Sequence, residues 1–132
     1  MSAARRTRLI DCNPRWVTGR YVGQPGDDDV PRGVHFDCPE GHEGCSHVIP
    51  FSPAFDGSPT PGWQQNGAQW QRSGDTFETL SLSPSIRRIP RHATREAAIA
   101  AGCIPEYVTA SLLCACHIFI TDGTIVFCSD SR

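Results

Sequence analysis

Three observations predict that this chain is a small, mostly β domain: a zinc-ribbon-like antiparallel sheet with a C-terminal hairpin and one short inserted helix. Residues 117–128 read His-Ile-Phe-Ile-Thr-Asp-Gly-Thr-Ile-Val-Phe-Cys, with Asp122-Gly123 between two apolar runs. Both turn residues tolerate positive φ, so the dipeptide is a strong hairpin signal. Twelve glycines and 11 prolines in 132 residues favour turns and short strands over a helical bundle. Seven cysteines in so short a chain point to a metal staple, because metal-binding free energy becomes folding free energy.

The elements follow in order. Residues 1–33 read as an N-terminal arm and lead-in, with a short edge strand around Trp16-Val17 and Tyr21-Val22. Residues 34–132 form a single zinc-stabilised β domain with a helical insert at about 91–113. Val34-His35-Phe36-Asp37 and Val48-Ile49-Pro50-Phe51 are two short strands flanking a turn-rich loop, the second limited to an edge or bulge by Pro50. Residues 52–68, rich in Pro, Gly, Ser and Asn, read as a long surface loop. Residues 76–83 alternate as a strand that Pro84 ends. Residues 91–101 form the helix, with Thr94 as N-cap and Gly102 as the stop; Pro105 permits a further helical turn within 106–113.

A two-residue turn fixes the hairpin register. Thr121 faces Thr124, Phe119 faces Val126, and His117 faces Cys128. Opposed residues on one face have Cβ atoms about 4.5–5.5 Å apart. A histidine and a cysteine so placed reach one zinc ion at about 2.0–2.3 Å. The other half of the site falls in residues 38–47, Cys-Pro-Glu-Gly-His-Glu-Gly-Cys-Ser-His. Cys38 ranks first there, then Cys45, His42 and His47. The six residues between Cys38 and Cys45 exceed the two to four usual in zinc knuckles. Regular strand parity turns Cys114 and Cys116 away from His117, unless a bulge intervenes. Cys12 and Cys103 lie outside any knuckle and are expected to be unligated.

The formal charge of −2 does not announce a nucleic-acid binder. Its distribution is uneven: Arg5, Arg6, Arg8, Arg15 and Arg20 oppose only Asp11 early in the chain. Arg87, Arg88, Arg91 and Arg95 form a second basic cluster, and Asp27-Asp28-Asp29 an acidic patch. No apolar stretch reaches the roughly 18–20 residues needed to cross a bilayer, and no secretory signal opens the chain. An odd cysteine count without a leader fits thiols in a reducing cytoplasm better than a disulfide framework.

Several enzyme signatures are missing. His42-Glu43 is not followed by the second histidine of a zincin, and the deaminase Pro-Cys-x-x-Cys is absent. Ser58 lacks a Gly-x-Ser-x-Gly elbow. Cys116 and His117, as strand neighbours, point apart and make a poor nucleophile–base pair.

A set of short motifs in fixed order also bears on identity. Phe36-Asp37-Cys38-Pro39, Val48-Ile49-Pro50-Phe51, Trp70-Gln71-Arg72, Thr76-Phe77-Glu78-Thr79-Leu80 and Ser83-Pro84-Ser85-Ile86 precede Cys114-x-x-His117 and the Asp-Gly hairpin. The order resembles a family of small phage and prophage proteins carrying a domain of unknown function, often mislabelled ammonia monooxygenase. Related copies are similar to accessory proteins in bacterial ubiquitin-like operons. The resemblance covers about residues 34–130. It implies a mostly β fold and a Cys/His zinc site, with Cys38, Cys114, His117 and Cys128 at family positions. The expanded Cys38-to-Cys45 loop and the helical insert depart from the family pattern.

Residues and resemblance together give Cys38, Cys45, His117 and Cys128 as the ligands of one Zn2+, with Cys116, Cys114 and His42 as alternates. No catalytic residue is assigned. The expected function is a non-enzymatic interaction module with structural zinc, binding a phage or host protein in the host cytoplasm or in a virion, with no membrane. Two alternatives stand beside it. One is nucleic-acid binding through Arg5, Arg6 and Arg8, the other a zinc-dependent hydrolase using Asp37, Glu40 or Glu43 as base.

Overall fold

The structure, a computed structural model, describes residues 5–18, 30–57, 70–108 and 113–132. It is mostly β. The strands are β1 (Arg6–Arg8), β2 (Arg15–Thr18), β3 (Pro31–Asp37), β4 (Ser46–Ser52), β5 (Trp70–Ser73), β6 (Ser81–Arg87), β7 (His117–Thr121) and β8 (Thr124–Phe127). They make one sheet in the order β1-β8-β7-β6-β5-β4-β3-β2. Neighbours are antiparallel except β4 and β5, which pair in parallel. The lead-in thus supplies both sheet edges, β1 and β2. Tyr21-Val22, Asp27-Asp28-Asp29, Trp63 and most of the 52–68 loop lie outside the described residues.

Sequence periodicity explains the hairpin. In β7, Ile118 and Ile120 are buried while Phe119 and Thr121 are exposed; in β8, Ile125 and Phe127 are buried. Each buried isoleucine contributes about 1.5–3 kcal/mol. The observed pairs run from Thr121–Thr124 to Ile118–Phe127, as the two-residue turn predicts, with positive φ at Asp122 (48°) and Gly123 (72°). A Cβ on Gly123 would lie 2.5 Å from the Glu78 carbonyl oxygen, so the turn requires glycine for space as well as for φ. Val34, Phe36, Phe51 and Leu80 complete the core, and Trp16 stacks on Phe77 with centroids 4.3 Å apart.

Three elements differ from expectation. β4, expected at an edge or bulge because of Pro50, lies between β3 and β5, and β5 joins it only past Pro50, at Phe51 and Ser52. Residues 76–79 are bends and turns, and the strand begins at Ser81 and runs through Pro84. Proline is tolerated there because β6 bulges: Leu82 pairs with Ile120 but Ile86 pairs with Ile118, so four steps on β6 oppose two on β7. The helix, α1, covers only Arg95–Ala100, capped by the Thr94 side chain accepting from the Ala97 N–H at 3.0 Å. A 3-10 turn, Pro105–Tyr107, follows, and residues 109–112 of the insert fall outside the described set.

Candidate active site and metal centre

Ser85 lies in the bulge of β6. A regular ladder continued from Leu82–Ile120 would set Ser85 opposite His117; the two extra residues pair Arg87 with His117 instead, and Ser85 sits two residues before that pair. Its hydroxyl donates to His117 Nε2 at 3.2 Å. The Ser85 carbonyl is held from the other side by the Trp70 indole N–H, also at 3.2 Å.

His117 opens β7, and a turn after β8 brings an acid to it. The Ser131 N–H donates to the Cys128 carbonyl at 3.0 Å, and the His117 N–H donates to Ser131 Oγ at 2.9 Å. Arg132 and Ala115 exchange both main-chain hydrogen bonds, at 2.9 and 3.3 Å. The turn so fixed places Asp130 Oδ1 2.8 Å from His117 Nδ1. The hydrogen bond from His117 holds the Asp130 carboxyl below the usual carboxylate range, and Arg87 adds to this, so Asp130 is charged at neutral pH. A carboxylate oriented on Nδ1 leaves Nε2 free to accept from the hydroxyl.

A second cluster includes Cys114, three residues before His117 in sequence. Cys38, Cys45, His47 and Cys114 are all buried, and one donor atom of each lies within 4.8 Å of the others. Cys38 Sγ is 3.8 Å from Cys114 Sγ, 76 residues away in sequence. That separation matches the edge of a tetrahedron with metal–sulfur bonds of about 2.3 Å, which is about 3.8 Å. His47 Nε2 is buried and has no hydrogen-bond partner among the described residues. An orphaned imidazole nitrogen beside three thiols fits metal ligation.

The electrostatics agree. The hydrogen bond from Cys116 pulls the Cys38 thiol far down, which favours the anion there over its neighbours. Burial, then the nearby Cys38 charge, pushes Cys45 up to about 12; burial raises Cys114, and the hydrogen bond to Cys38 raises Cys116. One anion is tolerated and further ones are suppressed, unless a cation compensates them. This buried Cys/His cluster can hold a metal ion.

The structure therefore divides the ligand set expected from sequence. Cys38 and Cys45 meet in the buried cluster, joined by the alternate Cys114 and by His47, the last-ranked knuckle residue. His117 and Cys128 face each other as the register requires, with the Cys128 N–H donating to the His117 carbonyl at 2.9 Å. They gather with Asp130 in a separate group. Cys116 is buried beside Cys38, and His42 Nδ1 lies 3.5 Å from Cys38 Sγ; neither is among the four clustered donors. Cys12 bonds the Arg8 carbonyl through its thiol, and Cys103 lies 3.6 Å from His92.

The arginines proposed for nucleic acid are partly committed within the chain. Arg5 makes a two-point contact with Glu40, at 2.7 and 3.1 Å, and lies over the Phe127 ring. Arg8 pairs with Asp11 at 3.2 Å.

Sequence reasoning missed Ser85 and Asp130. Both were in plain view, Ser85 in the Ser83-Pro84-Ser85 motif and Asp130 two residues past Cys128. The signal that would have found them is long-range: β6 beside β7, with a bulge at a proline.

A hydroxyl, an imidazole and a carboxylate hydrogen-bonded in series define the arrangement of a serine-nucleophile hydrolase. A family model described as bacterial ubiquitination-like system serine protease (BubE) matches residues 11–128, and the chain belongs to that family. Comparison with curated proteins and with solved structures found no match. The membership corrects the expected function: the family is one of serine proteases, not of non-enzymatic interaction modules. It agrees with the expected tie to bacterial ubiquitin-like operons and carries no indication of a phage source. No helix among the described residues is long and apolar enough to cross a membrane.

Proposed function

We propose that this protein is a serine protease acting on a protein of a bacterial ubiquitination-like system, with Ser85 as nucleophile, His117 as general base and Asp130 as its orienting carboxylate. The observation that carries this reading is the continuous hydrogen-bond series Ser85–His117–Asp130, at 3.2 and 2.8 Å. The family description supports the reaction class and the kind of system.

The chemistry follows from the geometry. Ser85 Oγ attacks the scissile carbonyl carbon as its proton passes to His117 Nε2. Asp130 stabilises the imidazolium through Nδ1–H. His117 then returns the proton to the departing amine nitrogen as the C–N bond breaks, leaving an acyl ester on Ser85. A water, deprotonated by His117, attacks that ester and releases the new carboxylate and the free serine.

The buried cluster is assigned to Zn2+ in a structural role, held by Cys38, Cys45, His47 and Cys114. Four protein ligands leave no open position for substrate, and Zn2+ favours such sulfur-rich tetrahedral sets. Bound there, it neutralises the thiolates and cross-links chain segments. Cys114 lies three residues before His117 in sequence. Arg88, just past β6, donates to the Ser46 carbonyl at 3.1 Å and to Cys45 Sγ at 3.7 Å. The centre thereby braces both strands that carry the triad.

A fluorophosphonate probe tests the assignment. It should form an adduct on the peptide carrying Ser85, seen by mass spectrometry. Ser85→Ala should abolish the adduct, and His117→Ala should slow it by at least about 1,000-fold. Labelling that survives Ser85→Ala would overturn it.

A further inference from the structure

His117, Cys128 and Asp130 each offer a ligand atom, and these atoms lie within 4.8 Å of one another. This group differs from the buried cluster in access. The Asp130 side chain is 53% exposed and that of His117 21%, and Cys128 is half-buried, so an ion reaches them from solvent without unfolding the protein. The residue types are independently suited to one kind of ion. Imidazole and thiolate select zinc among the common divalent cations, and a carboxylate completes a three-ligand set with one position open to water.

We propose that His117, Cys128 and Asp130 form a second, solvent-accessible Zn2+ site, whose occupancy switches off the serine chemistry by claiming the imidazole. The site is built from two members of the triad and one residue outside it. The part concerning the switch rests on the proposed protease; metal binding by the three side chains does not.

The consequences for the protons can be followed. Cys128 loses its thiol proton to solvent on binding. Zn2+ at Nδ1 displaces the hydrogen bond to Asp130 and drives the imidazole proton to Nε2. That nitrogen then carries a hydrogen and no longer accepts from Ser85. Zn2+ at Nε2 blocks the same lone pair directly. Either geometry removes the general base while leaving Ser85 in place. Binding is weaker than at the buried centre because three ligands replace four and remain exposed to water, so free zinc sets the activity reversibly.

The test uses the full-length protein with its buried centre loaded, titrated with ZnCl2 alone. Native mass spectrometry should count two zinc ions on the wild type and one on Cys128→Ala. The second dissociation constant, read by competition with a chromophoric chelator, should weaken at least about tenfold in that variant. Zinc inhibition of peptide hydrolysis, taken as the ratio of rates with and without zinc within each variant, should shift by the same factor. Cys103→Ala serves as the control, because Cys103 and His92 form a half-buried thiol–imidazole pair outside both clusters. A second zinc that persists in Cys128→Ala, or that disappears in Cys103→Ala instead, overturns the site. Two zinc ions bound through Cys128 with unchanged hydrolysis overturns the switch. An absence of hydrolysis in the protein without added zinc defeats the protease reading, and the switch with it, while the stoichiometry still decides the site.

Discussion

The Trp70 indole N–H donates to the main-chain carbonyl of Ser85 at 3.2 Å, from the strand that pairs with β6. Ser85 sits in a bulge whose backbone lacks the regular ladder to β7. Trp70 is thus a fixed donor on the segment that carries Ser85, and its ring packs against the core.

Trp70→Phe should therefore act through Ser85 and not on the fold alone. The loss of one hydrogen bond costs about 0.5–1.5 kcal/mol of stability. The larger effect falls on turnover: kcat should drop about tenfold, with KM near the wild-type value, because a nucleophile out of alignment loses transition-state stabilisation and not substrate binding. Steady-state kinetics on a peptide substrate checks this; a rise in KM at constant kcat would mean that Trp70 contacts substrate instead.

Asp130→Asn should leave the fold intact, since the side chain is largely exposed, and reduce kcat by about 10,000-fold. The amide presents a donor to Nδ1 or loses the charge that stabilises the imidazolium. Circular dichroism and single-turnover kinetics measured together separate the two effects. Activity within about tenfold of wild type would remove Asp130 from the mechanism.

The two sulfur environments predict opposite outcomes for the same substitution. Cys114 is fully buried against Cys38, whereas Cys128 is half-buried beside a solvent-facing histidine. Cys114→Ser should lose the zinc proposed for the buried centre and with it the cooperative thermal transition, because metal binding and folding are one equilibrium in a small domain. Cys128→Ser should keep both. Metal content by mass spectrometry alongside thermal melting distinguishes them, and a normal melt in Cys114→Ser would remove the structural role from the buried centre.

Much of this was legible from local sequence. Asp122-Gly123 set the turn and register of β7 and β8 from neighbouring residues alone, so the facing of His117 and Cys128 could be read directly. The richness in turn formers gave the β class, and Cys38 and Cys45 fell into one cluster. What could not be read is non-local. Nothing local brings β6 against β7 across a 29-residue gap between Arg87 and His117, or makes β4 and β5 parallel. Pro84 signals a strand end to any local rule, yet it lies inside β6 because the bulge removes its need for a ladder hydrogen bond. The choice of Cys114 over Cys128 as the partner of Cys38 likewise depends on the irregular stretch before His117, where strand parity does not hold.

His35 makes stability depend on pH in a direction that can be worked out. Its Nε2 accepts from Arg15 at 3.1 Å and lies 2.8 Å from Ser46 Oγ. Burial, then the Arg15 charge, lowers its pKa from the ordinary 6.5. The unfolded chain then binds more protons than the native one as pH falls below about 6.5. The contribution of His35 is fully present above that value and is lost as pH drops through the lowered native one. His35→Gln cannot be protonated, so the fall in its urea midpoint between pH 7.5 and pH 5.5 should be smaller than that of the wild type. An equal or steeper fall in the variant would assign the acid sensitivity to other groups and leave His35 with a hydrogen-bonding role alone.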